Sequence, residues 1–431
     1  MEHKAAMTAH AAAPETSLRA FPDFLKLWGG QGVSLLGSQI TEVALPLTAV
    51  LVLHANAAQM GVLGVARWLP FLVFTLWVGV WADRVRRLPL LIGVDVLRAL
   101  TMGLIAALAI GGWLHFSVLV VLVFLFGAMT VVFDVAYYSF VPCVVPQDKL
   151  VGANSRLQAT TSLAQVGGPG LGGLLVQALT APYALLADAI SFVVSTFSLL
   201  WIRTEEPKPE PDPEAGGNLA RIREGLSITY RNPFLRAFAG VAGFYNLFEQ
   251  WILTLFILYG VRKLGMSGLS IGLVLSAAAV GALVGSVAAG PFARRLGVGR
   301  SVLIEVLLEC GVLLAIPLTP AHSLVTVPLL AAAWALNGFG TASSSVIAIT
   351  LRQLVTPERL LGRMNASYRF VSFGAIPLGA LLGGTAGQLL GLRAALFVGC
   401  IALLSTVVWI VFSPLPGLRD VSEATPESEP A

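Results

Sequence analysis

The sequence predicts an all-α polytopic membrane protein, with twelve transmembrane helices arranged as two pseudo-symmetric six-helix halves. Three observations predict it. Of the 431 residues, 56% are apolar and only 12% are charged, about half the charge of an ordinary soluble domain. Apolar stretches of about 20 residues, the length that crosses a bilayer, recur along the chain. Motifs of the first half return in the second at one fixed offset.

The chain opens with a polar, Ala-rich segment, residues 1–20, which lacks the long apolar core of a cleaved signal peptide. Six spans follow, near 24–53, 59–81, 88–111, 116–141, 155–178 and 183–202. Six more lie near 235–260, 268–292, 301–319, 323–350, 366–390 and 393–413. Spans 5 and 11 are the least apolar and the richest in glycine. Between the two sets, RTEEPKPEPDPEAGGN (Arg203–Asn218) carries four prolines and mixed charge, which reads as a linker. The basic, amphipathic LARIREGLSITYRNPFLRAF after it is expected to lie along the inner membrane surface. The expected division is a tail at 1–20, a bundle at 21–202, a linker with its amphipathic segment at 203–233, a bundle at 234–413 and a tail at 414–431.

The distribution of Lys and Arg sets the orientation. With the N-terminus in the cytoplasm, the outer loops contain only Arg262, Lys263 and Arg393, as the positive-inside rule requires. Both termini are then cytoplasmic and the chain sits in the cell membrane. The repeat is explicit: Gly79 matches Gly290, Pro146 matches Pro357, Asn154 matches Asn365, and Gly172-Gly173 matches Gly383-Gly384, all 211 residues apart. Duplicated halves suggest a central cavity exposed alternately to the two sides by rocking.

Two motifs carry a family resemblance. GVWADRVRRLPLL (Gly79–Leu91), between spans 2 and 3, keeps Gly79, Asp83, Arg84 and the basic pair Arg86-Arg87, and resembles the signature loop of the major facilitator superfamily. Gly79 lets two helices touch, Asp83 can cap a helix start, and the arginines can pair with acids on a neighbouring helix. Together with Asp134 near the end of span 4 they form an expected cytoplasmic latch. GPGLGG (Gly168–Gly173) in span 5 places Gly168, Pro169, Gly172 and Gly173 in the positions of the motif of the proton-driven antiporters. Proline bends the helix and the glycines permit tight packing. The span-4 arginine of that family is absent; Asp134 stands in that stretch instead. From residue 21 to 413 the pattern is similar to the twelve-span drug:proton antiporter branch that includes macrolide efflux proteins and the enterobactin exporter. The resemblance implies the major facilitator fold and export driven by proton antiport.

Charges at membrane depth cost a few kcal/mol unless paired or wet, so they mark candidate sites. Glu42, Arg67, Glu249 and Glu309 lie within spans and are the proton-coupling candidates, because a carboxyl withdrawn from water can exchange protons near neutrality. For Glu42 an ion pair with Arg67 is the alternative role. Gln31, Gln39, Tyr245, Asn246 and Trp251 are candidates to line the substrate path, or else to bond helix to helix. Asp95 and Arg98, three apart, are expected to pair on one face; Glu305 is expected to pair with Arg294 or Arg295, and Asp188 to cap or pair. Arg67 is the one basic residue placed deep in the membrane.

Other functions are poorly supported. No nucleophile elbow, phosphate loop or metal-spaced His cluster is present, so no enzyme, cofactor or metal is indicated. Cys143, Cys310 and Cys400 show no pairing pattern. Nucleic-acid binding would need a basic stripe on a soluble face. An importer or uniporter of a polar metabolite would show more polar or basic cavity residues, and a membrane receptor would show larger loops. The expected partners are a small-molecule substrate, protons and the lipid bilayer, with the chain acting as a monomer.

Overall fold

The computed structural model describes residues 18–82, 84–204, 206, 227, 229–357, 360–420 and 423. Asp83 and most of the linker, including 207–226, lie outside the described residues, as do the tail before residue 18 and most of the C-terminal tail. The amphipathic segment expected before the second bundle, residues 219–238, is described at 227 and from Thr229 on, and its last six residues open the helix Pro233–Arg262.

The first half comprises α1 (Pro22–Leu51), α2 (Ala57–Ala82), α3 (Arg87–Ile110), α4 (Phe116–Val144), α5 (Leu150–Leu179) and α6 (Ala181–Leu200). The second comprises α7 (Pro233–Arg262), α8 (Gly268–Leu296), α9 (Val298–Leu318, with a 3-10 turn at Val312–Leu314), α10 (Thr326–Leu354), α11 (Leu361–Leu390) and α12 (Leu392–Val411, broken at Leu404 and Ser405). Among the described residues there are no strands. Ten of these segments are long and apolar enough to cross a membrane. The other two, α5 and α10, are as long but lack a continuous stretch that is apolar enough.

The duplication is a structural fact. The bounds of α7, α11 and α12 are those of α1, α5 and α6 moved along by 211 residues. Even unusual turns recur. His54 (φ 52°) corresponds to Gly265 (φ 66°), and Thr180 (φ 104°) to Gly391 (φ 82°).

Local chemistry sets the helix starts. Asn232 accepts hydrogen bonds from the Phe234 and Leu235 amides, with Pro233 at the first helical position of α7. The Glu206 carboxylate, just after α6, accepts from the amides of Arg87 (2.6 Å) and Leu88 (3.1 Å) at the start of α3, where the helix dipole favours an anion. The second half repeats the device with backbone: the Leu418 and Arg419 carbonyls, just after α12, accept from Gly299 (2.9 Å) and Val298 (3.2 Å) at the start of α9.

Within each half, α1 packs on α5 and α6, and α7 packs on α11 and α12. The halves meet along two seams, α2 against α11 and α5 against α8, which the 211-residue repeat exchanges. Glycine makes both seams close. A Cβ on Gly61 would lie 2.7 Å from the Ala380 carbonyl oxygen, and one on Gly173 would lie 2.3 Å from that of Gly268. Both contacts sit at the end bearing the α1–α2 and α7–α8 turns, here called the far end. At the opposite end, which carries the linker, Gln158, Leu163 and Gln165 of α5, Val287 of α8, and Asn365 and Arg369 of α11 are exposed. The halves are thus closed at the far end and parted at the linker end.

Candidate functional site: a carboxyl-lined cavity in the second half

Span 7 brings Tyr245, Asn246 and Glu249 to one face of α7, within one turn of each other. That face meets Glu309 of α9, Thr341 and Ser344 of α10, and Ser372 of α11, and these residues line a cavity of about 220 Å³. Tyr245 is its hub. The phenol donates to Glu249 Oε1 at 3.3 Å or shares a proton with Thr341 Oγ1 at 2.9 Å, and it accepts from Asn337 Nδ2 at 2.9 Å. Asn337 Nδ2 also reaches the Glu309 carbonyl at 2.9 Å, and Ser344 Oγ donates to Glu309 Oε2 at 3.3 Å. Asn246 Nδ2 donates to Ser372 Oγ at 2.6 Å. Two carboxyls therefore share one small polar chamber, and among the described residues neither makes an ion pair.

A second cavity, about 240 Å³, lies between the halves toward the far end and holds Glu42, Arg67, Trp68, Pro169 and Gln250. Here Arg67 Nη2 donates to Glu42 Oε1. The two acids singled out in spans 1 and 7 thus differ: Glu42 has a resident cation and Glu249 does not.

The remaining candidates divide. Gln31 is buried between α1 and α6, where its Nε2 donates to Ser195 Oγ at 3.0 Å; it is a helix-to-helix bond and lines no path. Trp251 Nε1 donates to the Ala395 carbonyl at 3.0 Å, and its ring fills the space over Gly383 and Gly399. It joins α7 to α11 and α12. Gln39 packs on Gly168, where a Cβ would approach its own Cβ to 2.2 Å. The span-5 motif works as packing on two fronts: Gly168 and Gly172 face Gln39 and Ile40 of α1, while Pro169 and Gly173 face Gly272 and Gly268 of α8.

Asp134 stands apart from the other residues of the expected latch. Arg87 pairs with Glu206 at 3.6 Å, and no pair links Asp134 to Arg84 or Arg87 among the described residues. Asp134 lies ten residues before the end of α4, about 15 Å of helical rise from that loop, which is too deep for either arginine. Arg84 and Arg86 are exposed, Gly79 lies in the last turn of α2, and Asp83 is outside the described residues. Glu305 does not meet the exposed Arg294 or Arg295; it accepts from Ser343 Oγ at 2.6 Å. Asp188 is fully buried and accepts from Thr41 Oγ1 at 2.5 Å and Ser191 Oγ at 3.0 Å.

Two arginines are buried, Arg98 within α3 and Arg352 in the last turn of α10, and the second was not singled out in the sequence. Arg98 pairs with Asp95 at 3.2 Å, as its spacing suggested, but it sits mid-helix over the rings of Phe126, Phe133 and Phe192, the nearest 4.1 Å away. Arg352 stacks 3.6 Å from the Tyr368 ring, which walls the cavity. Glu206 was missed as well. An acid run in the linker facing a basic pair at a helix start is the signal that pointed to it.

Residues 16–430 match the family described as transmembrane secretion effector. The chain belongs to that family. It is an efflux transporter of the major facilitator superfamily. The multidrug efflux pump Tap of Mycolicibacterium fortuitum is 28% identical over 400 residues, covering 90% of this chain and 94% of the pump. Macrolide efflux protein A of Streptococcus pyogenes is 23% identical over 62% of this chain and 66% of its own. The enterobactin exporter EntS of Escherichia coli O1:K1 / APEC is 26% identical over 62% of this chain and 64% of its own. Among solved structures, the nucleoside transporter NupG superposes with a TM-score of 0.71 at 10% identity, covering 90% of this chain and 98% of that one. A bacterial homologue of the iron transporter ferroportin in its inward-facing state gives 0.72 at 20% identity, covering 92% and 99%. These two likenesses bear on the fold, which the secretion effector family shares with the rest of the superfamily.

Proposed function

We propose that this chain exports bulky amphiphilic small molecules by alternating access, in exchange for protons that pass through Glu249 and Glu309. The observation that carries the reading is the pair of carboxyls in one chamber with no cation paired to either among the described residues. A charge at that depth is costly unless neutralised, and a proton or a cationic part of a substrate can neutralise it in turn. Competition for one site between proton and substrate is what antiport requires. Tyr245 touches Glu249 and Thr341, and Asn337 touches Tyr245 and the Glu309 backbone, so loading one carboxyl is felt at the other. Glu42, already paired with Arg67, is assigned to holding α1 against α2. Tap, macrolide efflux protein A and EntS carry names of bulky and varied cargo, which supports an amphiphile as substrate. The positive-inside pattern supports cytoplasmic termini, with two six-helix bundles joined by the linker and α5 and α10 counted as spans.

Proteoliposomes with an imposed proton gradient and a panel of amphiphilic compounds test this. Gradient-driven flux is expected, and Glu249→Gln is expected to abolish it while substrate binding persists. Flux in wild type that ignores the gradient, or a Gln variant that pumps at the wild-type rate, would overturn the coupling role.

A further inference from the structure

The far end carries few basic residues, and the side chains of Arg262 and Arg393 are both engaged. Arg393 Nε donates to the Pro317 carbonyl at 2.8 Å, inside its own half. Arg262, at the end of α7, instead crosses to the other half. Its Nη2 donates to two consecutive carbonyls of the α1–α2 turn, His54 at 2.9 Å and Ala55 at 2.8 Å.

The acceptors are held in place. The Ala55 amide bonds the Ala49 carbonyl at 2.9 Å and the Leu53 amide bonds that of Thr48 at 3.3 Å, so the turn is tied to α1. Ala55 is buried. The donor is held too: the Lys263 amide bonds the Tyr259 carbonyl at 2.8 Å, and the Met266 amide bonds that of Gly260 at 2.9 Å. The position 211 residues before Arg262 is Leu51, so the repeat supplies no mirror-image clasp.

We propose that Arg262 is the gating residue of the far end, its guanidinium clasping the His54 and Ala55 carbonyls to hold the halves shut there. Opening the far end moves α7 away from the α1–α2 turn, and both bonds lapse once donor and acceptor part beyond about 3.5 Å. The neighbouring seams are mainly glycine against backbone, with a hydrogen bond from the Gly170 amide to Ser276 Oγ at 2.9 Å joining α5 to α8. The clasp adds two charge-assisted bonds, which are stronger than neutral ones. This role is independent of the cargo and of the coupling ion, so it stands or falls apart from the proton reading.

Hydrogen exchange read by mass spectrometry on the full chain in lipid nanodiscs tests it. In Arg262→Ala the far-end turns, 52–57 and 262–268, are expected to take up deuterium faster. The linker-end stretches of α5, α8 and α11 are expected to become more protected at the same time, reporting about a tenfold shift toward the far-end-open state. Arg262→Lys, which keeps the charge but loses the planar fork, is expected to fall between. Faster exchange at the far end without reciprocal protection in both variants would mean that Arg262 only braces a loop, and overturns the proposal. Unchanged exchange in both would overturn it equally.

Discussion

Thr180 holds φ 104° and ψ 161° in the turn between α5 and α6. That region is essentially reserved for glycine and costs a side-chain-bearing residue about 1–3 kcal/mol. The second half places Gly391 at the matching turn, with φ 82° and ψ 155°. Thr180 is exposed, so removing its side chain sacrifices no packing. Thr180→Gly is therefore expected to stabilise the protein by about 1 kcal/mol after glycine's extra unfolded-state entropy is subtracted. Gly391→Thr is expected to do the reverse, and thermal unfolding in detergent reads both. A melting temperature that falls in Thr180→Gly would count against strain at this turn. Single residues were legible in the sequence when their chemistry was out of place: Glu249 and Glu309 stand out because a carboxyl amid apolar neighbours demands a reason. For Gln31 and Trp251 the sequence left two roles open, because a polar atom on a span can face a cavity or a neighbouring helix. Only the rotation of the helix about its axis decides between them, and that is set by contacts with partners far along the chain.

Helices are fixed here less by propensity than by how closely two backbones approach. Lipid chains are as apolar as leucine, so packing must come from shape, and small residues supply it. The position of a glycine then decides what its replacement does. Gly285 faces α10 inside the second half, where an added Cβ would sit 2.2 Å from the Phe339 carbonyl oxygen. Gly272 faces α5 across the seam, where an added Cβ would sit 2.2 Å from the Pro169 carbonyl oxygen. The local clash is the same and the consequence should differ. Gly285→Ala has no alternative arrangement to retreat to and is expected to cost about 1–3 kcal/mol of stability, seen as a lower melting temperature. Gly272→Ala can escape by parting α5 from α8, so it is expected to leave the melting temperature nearly unchanged while shifting far-end exchange as Arg262→Ala does. Equal loss of stability in the two would argue that the seam is a permanent core. At this scale the sequence predicted helix bounds to within a few residues, because apolar length and the 211-residue repeat are both local patterns. It named spans 5 and 11 as the least apolar; α11 still contains an apolar stretch long enough to cross, while α5 and α10 do not. The reason for α10 is visible in Asn337, Thr341, Ser343 and Ser344, polar residues turned toward Tyr245 and the two glutamates of α9.

As a whole, the molecule is two similar bodies touching at one end, and its resting state should be readable by chemical access. Gln158 and Gln165 on α5, and Asn365 and Arg369 on α11, are polar and exposed toward the linker end. Polar side chains at such positions face water in preference to lipid, so they line the opening between the halves. The measurement is labelling of Gln165→Cys, with Cys143→Ser removing the one native cysteine that is not buried. In membrane vesicles a charged, impermeant thiol reagent is expected to modify this position from the linker side and not from the far side. Substrate or an imposed proton gradient that drives the far end open is expected to slow the modification, because the two halves then close over α5. Adding Arg262→Ala is expected to slow it without either, since the clasp no longer favours the far-end-closed arrangement. Modification from the far side in the resting protein would contradict the arrangement of the halves. A rate that no ligand, gradient or Arg262 substitution alters would mean that the halves do not rock, and alternating access would fail with it.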